Sequence, residues 1–220
     1  MPPPFDLLPF MLQGLGVTLV ITVGGSMVAL VSAILAGLGR RSDDVIVRWL
    51  SGAYIEIFRG ASALVLLYWF FFALPVLLDI RVNAILAGII VLGLNVGAYG
   101  AEVVRASIAA VPEGQYRAAK ALNLTSWQTM RYVIVPQAVL AMIPPFGNLL
   151  IELLKGTALV SVVTVSDLTN RGMLLRDQTH RSLEIFGILL LVYFGLSLIL
   201  TTGVRWLERR LSRGQDHGKG

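Results

Sequence analysis

Residues 7–39 read LLPFMLQGLGVTLVITVGGSMVALVSAILAGLG, thirty-three positions without one charged side chain. About 20 apolar residues in a helix cross the ~30 Å hydrocarbon core of a bilayer, so this run is long enough to span. A helix is required because backbone N–H and C=O groups cannot stay unpaired in lipid. Four more charge-free gaps follow, at 60–78, 82–101, 132–151 and 185–204. A buried soluble helix pair is the alternative for any single run, and five in succession argue against it. The reading is an all-α membrane protein of five transmembrane helices in a single domain over 1–220, with spans at about 10–38, 57–78, 82–104, 131–153 and 184–206.

Composition agrees. The chain is 56% hydrophobic and 14% charged, whereas soluble domains are about 25% charged. There is no cysteine, which excludes disulfides, thiolate metal sites and cysteine nucleophiles. The opening MPPPFDLL has no basic segment and no small-residue cleavage site, so the first apolar run is expected to be retained rather than removed. The net charge is +5. Its basic residues lie in short segments between apolar runs, which points to orientation in a membrane and not to nucleic acid. With the N-terminus outside, the inner segments hold thirteen Lys and Arg and the outer ones five. The expected topology is N-terminus out, C-terminus in, with Trp206 at the interface and a basic tail beyond it.

Two segments are not plain loops. GTALVSVVTVS (156–166) is too short to span and too apolar to be solvated, so it reads as a re-entrant or interfacial piece packed on protein. On the cytoplasmic side, PEGQYRAAKALN (112–123) reads as a short helix. Pro112 suits a first turn, the alanines propagate it, and Asn123 suits a left-handed C′ position. Thr125 and Gln128 then have capping-box spacing for a new helix. Ala118 and Ala119 give a small-residue face suited to a groove; a linker lying on the lipid surface is the competing reading.

The stretches 97–168 (GAYGAEVVRASIAAVPEGQYRAAKALNLTSWQTMRYVIVPQAVLAMIPPFGNLLIELLKGTALVSVVTVSDL) and 54–75 (YIEIFRGASALVLLYWFFFALP) resemble permease subunits of ATP-binding-cassette importers of the polar amino acid family. The ordered cluster GQ-x-x-AA, VPQA, PP-x-x-N and LK-x-T-x-L carries the resemblance, which extends from about Gly14 to the end of the fifth span. It implies a type I ABC importer permease fold in the bacterial inner membrane. It makes 113–124 a coupling helix that docks on a separate ATPase subunit through Gly114, Gln115, Arg117, Ala118, Ala119, Asn123 and Leu124. Three positions depart from the family pattern. Arg117 replaces a glutamate, Asn123 a glycine, and Arg59-Gly60-Ala61-Ser62 stands for R-G-T-P. Glu113, four residues before Arg117, is placed to pair with it.

The resemblance further implies partners: ATP-binding subunits carrying ATP and Mg, a second permease chain and an extracytoplasmic solute-binding protein, all within membrane lipid. No cofactor is expected on this chain, and it is not expected to be an enzyme. No G-x-x-x-x-G-K-[ST] is present, and Lys155-Gly156-Thr157 lacks the rest of a phosphate loop. Within the family, 59–75 and 92–119 look most like ectoine/hydroxyectoine permeases, with glutamine or arginine as neighbouring alternatives.

Polar groups inside spans are costly and mark function. Asn95, Tyr99 and Glu102 fall on one stripe of the third span, with Arg105 placed to hold Glu102. Interhelical packing is the other reading of that stripe. Gly93 and Gly97 form a G-x-x-x-G spacing for close helix contact. In the fourth span Pro144 and Pro145 are expected to break the helix, and Asn148, Glu152 and Lys155 form a second stripe. Glu152 and Lys155 suit the two ends of a zwitterion or pair with each other. The candidate path is therefore Ser62, Asn95, Tyr99, Asn148, Glu152 and Lys155, with Arg59, Glu102, Pro144 and Pro145 in structural or gating roles. Arg59 snorkelling to the inner interface is the plainer alternative. The run Tyr68 to Phe72 reads as packing or lipid-facing before it reads as a cation-holding wall. An ion-gradient-driven carrier needs no coupling helix and often has repeat halves, which are not seen here. An intramembrane hydrolase lacks its motif, since His180 and His217 both lie outside the spans.

Overall fold

The computed structural model describes residues 5–212 and is helical almost throughout. A one-turn 3-10 segment at Phe5–Leu7 leads into α1 (Leu8–Leu12) and α2 (Leu15–Gly39). Then come α3 (Val45–Gly60), α4 (Ala63–Tyr68), α5 (Leu74–Leu78) and α6 (Ala84–Ala109). On the far side lie α7 (Glu113–Ala121) and α8 (Ser126–Thr129). The chain returns through α9 (Val135–Gly156), a 3-10 turn at Thr157–Val163, α10 (Leu168–Thr179) and α11 (Ser182–Ser212). Four helices are long and apolar enough to cross a membrane, and a bent pair makes a fifth if it counts as one span. The basic tail beyond Ser212, with Arg213, His217 and Lys219, lies outside the described residues.

That bent pair corrects the second span. A single rod over 57–78 was expected; instead Val45–Gly60 and Ala63–Leu78 meet at 104°. Ala61 (φ −93°, ψ 144°) and Ser62 (φ −64°, ψ 131°) are extended, which ends one helix and starts the next. Gly60 weakens the end of α3, and serine is a preferred residue where a helix begins.

The fourth span is corrected in the opposite sense. Pro144 and Pro145 do not break it: α9 runs unbroken through both. Each proline removes one N–H, but packing on neighbouring helices keeps the helix continuous. Phe146 packs in the cluster of Val104 and Ile134, and Gly147 seats against Val204 so closely that a Cβ there would lie 2.3 Å from its Cγ1. The helical irregularities fall elsewhere. Trp69–Ala73 and Met130–Ile134 are π-helical turns just before Pro75 and Pro136. Widening the turn relieves the clash of each proline ring with the carbonyl four residues back.

The core is the contact of α2 with α6, which run parallel. Gly93 meets α2 where an added Cβ would lie 2.7 Å from Val28 Cβ, and at Gly97 it would lie 2.0 Å from Ser32 Oγ. The G-x-x-x-G spacing thus marks a true close approach. The 156–166 piece packs on protein: Val160 and Val163 are buried with Ile21, Leu67, Val91 and Leu92. Phe70 and Phe71 pack against the same cluster, while Tyr68, Trp69 and Phe72 point outward. Large apolar side chains stay exposed along α2 and α11, including Met27, Leu35, Leu190 and Ile199, as expected where lipid is the solvent.

A cap of short helices covers the end where α2 begins. Asp167 N-caps α10, its Oδ1 accepting the Asn170 N–H at 2.9 Å. The Leu168 N–H donates to Thr18 Oγ1 at 3.2 Å. Gly14 lets the chains touch, since an added Cβ would lie 2.4 Å from the Asp167 carbonyl carbon. Asp167 is fully buried, and its Oδ2 has no partner among the described residues. Burial pushes its carboxyl up to about 6. Arg181 joins the N-terminal turn to α11 by donating to Asp6 at 3.1 Å and to Glu184.

Candidate functional site

Three polar regions hold the residues singled out in the sequence. The first is the short helix α7 with the turn that follows it. Its C-terminus forms a Schellman motif: the Leu124 N–H donates to Ala119 O (3.1 Å) and the Asn123 N–H to Lys120 O (3.0 Å). Asn123 is left-handed, φ 54°. Thr125 and Gln128 form a reciprocal capping box at the start of α8. Arg117 donates to Glu113 at 2.7 Å, both side chains almost fully exposed, so this pair contributes little.

The alanine pair is not one face. Ala119 is buried against the chain itself, while Ala118 is exposed. Tyr116 also points inward, against Val104, Ile108, Val111 and Ile134. Gly114, Gln115, Arg117, Ala118 and Asn123 are exposed, and Leu124 is half-buried. Leu122, not singled out in the sequence, is 75% exposed. A leucine next to a helix-ending asparagine was the available signal.

The second region is the break between α3 and α4. A helix end leaves its last carbonyls without partners. Ile57 O accepts from the Ala61 N–H at 3.1 Å. Phe58 O accepts from Asn95 Nδ2 at 2.6 Å, and Arg59 O from the Tyr99 hydroxyl at 3.4 Å. The Asn95–Tyr99 stripe of α6 therefore completes the broken span. The Arg59 guanidinium carbon lies 5.2 Å from the Tyr99 ring centroid. Glu102 accepts from Arg105 Nε and Nη2 at 3.0 and 2.8 Å. Ser62 is exposed, and its side chain caps nothing.

The third region is a groove of about 730 Å³ between α9 and α11, lined by Asn148, Glu152, Lys155, Tyr193, Ser197 and Thr201 among others. Glu152 and Lys155 form no ion pair among the described residues. The groove has no lining from α3, α4 or α6, so the six candidate path residues divide between two surfaces. Pro144 and Pro145 lie in α9 one turn before Asn148 and do not line it. Tyr193, Ser197 and Thr201 were not singled out. Their spacing of i, i+4 and i+8 in an apolar span was the signal. Ser197 and Thr201 donate to the carbonyls of Tyr193 (2.8 Å) and Ser197 (2.7 Å), which leaves their oxygens free to accept. The Tyr193 hydroxyl hydrogen-bonds Thr169 Oγ1 at 2.9 Å, which ties the groove wall to α10.

Comparison with known proteins agrees with this architecture. A probable amino-acid ABC transporter permease, y4tF of Sinorhizobium fredii, is 42% identical over 210 residues, covering 93% of this chain and 88% of that protein. The glutamine transport system permease GlnP of Escherichia coli K12 is 35% identical, covering 93% and 94%. A crystal structure of an amino acid ABC transporter with histidines superposes with a TM-score of 0.87 at 33% identity, covering 93% of this chain and 95% of that one. An inward-facing MetNI methionine ABC transporter shares the fold, with a TM-score of 0.78 at 20% identity over 96% and 99%. The family model for binding-protein-dependent transport system inner membrane components matches residues 25–213. With the long apolar helices, the bent pair α3–α4 and the short helix α7 between α6 and α9 in place, the chain belongs to that family of ABC transporter permeases.

Proposed function

We propose that this chain is the translocation subunit of an ABC importer. With a second permease chain, identical or a sister, it encloses the path of a small zwitterion, an amino acid or an amino-acid-derived osmolyte such as ectoine. The observation that carries this reading is α7. Tyr116 and Ala119 anchor it from beneath, while Gly114, Gln115, Arg117, Ala118, Leu122 and Asn123 are free above. A helix rigidly seated on its own protein with one unpartnered face transmits force from a separate motor. ATP and Mg²⁺ bind on that partner ATPase, not on this chain, and closure of the ATPase pair moves α7 and the spans behind it.

The relatives named for amino acids support the solute class, and the unpaired Glu152 and Lys155 supply groups for the ammonium and carboxylate ends. The fine choice between ectoine and glutamine or arginine rests with a solute-binding protein outside the membrane. The N-terminus lies outside and the C-terminus in the cytosol, which places α7 where an ATPase can reach it. Uptake into vesicles with and without the partner ATPase tests the reading. Uptake is expected only with ATPase and ATP. Uptake by this chain alone, driven by an ion gradient, would mean a secondary carrier, against which membership of the family already argues.

A further inference from the structure

We infer that Asn148 and Thr201, at the end of the α9–α11 groove away from Lys155, receive the far end of the solute's side chain. They select an end that carries N–H donors and no charge, as the carboxamide of glutamine does. This rests on the proposed substrate class and narrows it. Gly147 packs against Val204 at one end of the contact between α9 and α11, and Thr157 meets the Tyr193 hydroxyl at the other, so the two helices run antiparallel. Asn148 therefore stands level with Thr201 and Glu152 with Ser197, and all four line the groove.

The two walls offer different chemistry. Ser197 Oγ lies 2.8 Å from Tyr193 O, and Thr201 Oγ1 lies 2.7 Å from Ser197 O. A carbonyl cannot donate, so both hydroxyl protons are committed to the backbone and α11 presents only lone pairs here. On α9, Asn148, Glu152 and Lys155 are exposed to the groove, and none has a side-chain hydrogen bond or ion pair among the described residues. Polar groups left unmet on a spanning helix face a ligand or water. Away from Lys155 the acceptors are the Glu152 carboxylate, the Ser197 and Thr201 oxygens and Asn148 Oδ1; Asn148 Nδ2 is the donor.

The groove holds one carboxylate and one ammonium, and the two charges of an amino acid match them. A third charge, on the side chain, would stand between spanning helices without a counter-ion. Arg205, the next basic residue along α11, is one turn beyond Thr201 and does not line the groove. Asn148 lies one turn from Glu152, about 6 Å at 1.5 Å per residue, the distance from the ammonium of an extended glutamine to its carboxamide. The carboxamide there donates to Thr201 Oγ1 and Asn148 Oδ1 and accepts from Asn148 Nδ2. Glutamate has the same shape but would set a charged acceptor against those acceptors. The solute-binding protein makes its choice before delivery, and this end of the groove selects again within the span.

The test measures equilibrium binding of radiolabelled L-glutamine, L-glutamate, L-norleucine and L-arginine to the assembled permease–ATPase complex in nanodiscs, without solute-binding protein. Wild type is expected to bind glutamine tighter than each of the others by about tenfold or more, the worth of one unmet polar contact. Thr201→Val removes the acceptor at constant shape and narrows the margin over norleucine, and Thr201→Ser restores it. Asn148→Asp supplies a counter-charge and moves the preference to arginine. Asn148 is exposed, so this variant supplies the reading if Thr201→Val does not assemble. If wild type binds none of the four, the substrate reading itself falls, and this assignment with it. If wild type binds glutamate as tightly as glutamine, and Arg205→Gln removes that binding, the side chain ends at Arg205 and only this assignment is overturned. If wild type prefers glutamine while Thr201→Val and Asn148→Asp both keep the wild-type order, selection lies elsewhere and the assignment is likewise overturned.

Discussion

Asn95 Nδ2 donates to the carbonyl oxygen of Phe58 at 2.6 Å, across 37 residues of sequence. This one bond joins an intramembrane asparagine to the end of a helix broken inside a span. Both partners would otherwise be unsatisfied in a medium without water, so each explains the other. Asn95→Leu is expected to leave insertion intact and to lower stability by about 1–3 kcal/mol, the cost of an unmet buried carbonyl. Thermal unfolding in detergent reads this. An unchanged midpoint would mean that water already serves the Phe58 oxygen.

Ala118 and Ala119 separate docking from packing. Ala118→Arg, on the exposed side, is expected to abolish transport-coupled ATP hydrolysis with the unfolding temperature unchanged. Ala119→Leu, on the buried side, is expected to cost about 1–3 kcal/mol by overpacking. Coupled hydrolysis in the assembled complex and thermal unfolding of each variant make the comparison. Survival of coupling in Ala118→Arg removes this face as the docking surface.

Glu152 and Lys155 are not bonded to each other in the groove. Glu152→Gln and Lys155→Met are therefore each expected to leave stability within about 0.5 kcal/mol, as for sites away from paired or packed groups, while reducing uptake. A double-mutant cycle on stability is expected to give no coupling. A coupling energy of 1 kcal/mol or more would restore the ion-pair reading.

Asp167 makes the protein pH-sensitive. Its carboxyl titrates near 6 when folded, above the ordinary 3.8, because burial disfavours the charge. The folded state therefore binds the proton more tightly than the unfolded state does. Stability is greatest below the ordinary value and is lost as pH rises through about 4 to 6, by on the order of 2 kcal/mol. Asp167→Asn keeps an oxygen for the Asn170 N–H and cannot ionise. Its unfolding temperature is expected to stay flat over that interval while wild type falls. Parallel curves for the two proteins would refute the assignment.

Much of this molecule is legible along the chain. Charge-free runs set the membrane environment, because hydrocarbon length and backbone pairing are properties of a segment alone. The turn chemistry of Asn123, the Thr125–Gln128 box and the Glu113–Arg117 pair are equally local, the last two spanning four and five residues. What the tertiary structure decided is which groups meet. Pro144 and Pro145 read as a break because a proline removes a donor, and only the packing of Phe146 and Gly147 on neighbouring helices keeps α9 whole. The break occurs instead at Gly60–Ser62, where Asn95 and Tyr99, some 37 and 40 residues distant in sequence, receive the freed carbonyls. The stripes on α6 and α9 look alike along the chain, yet they face different neighbours, and Ala118 parts from Ala119 because α7 lies against the body of the protein. Local sequence governs conformations that a segment reaches alone; satisfaction of a buried polar group depends on a partner that only folding brings near.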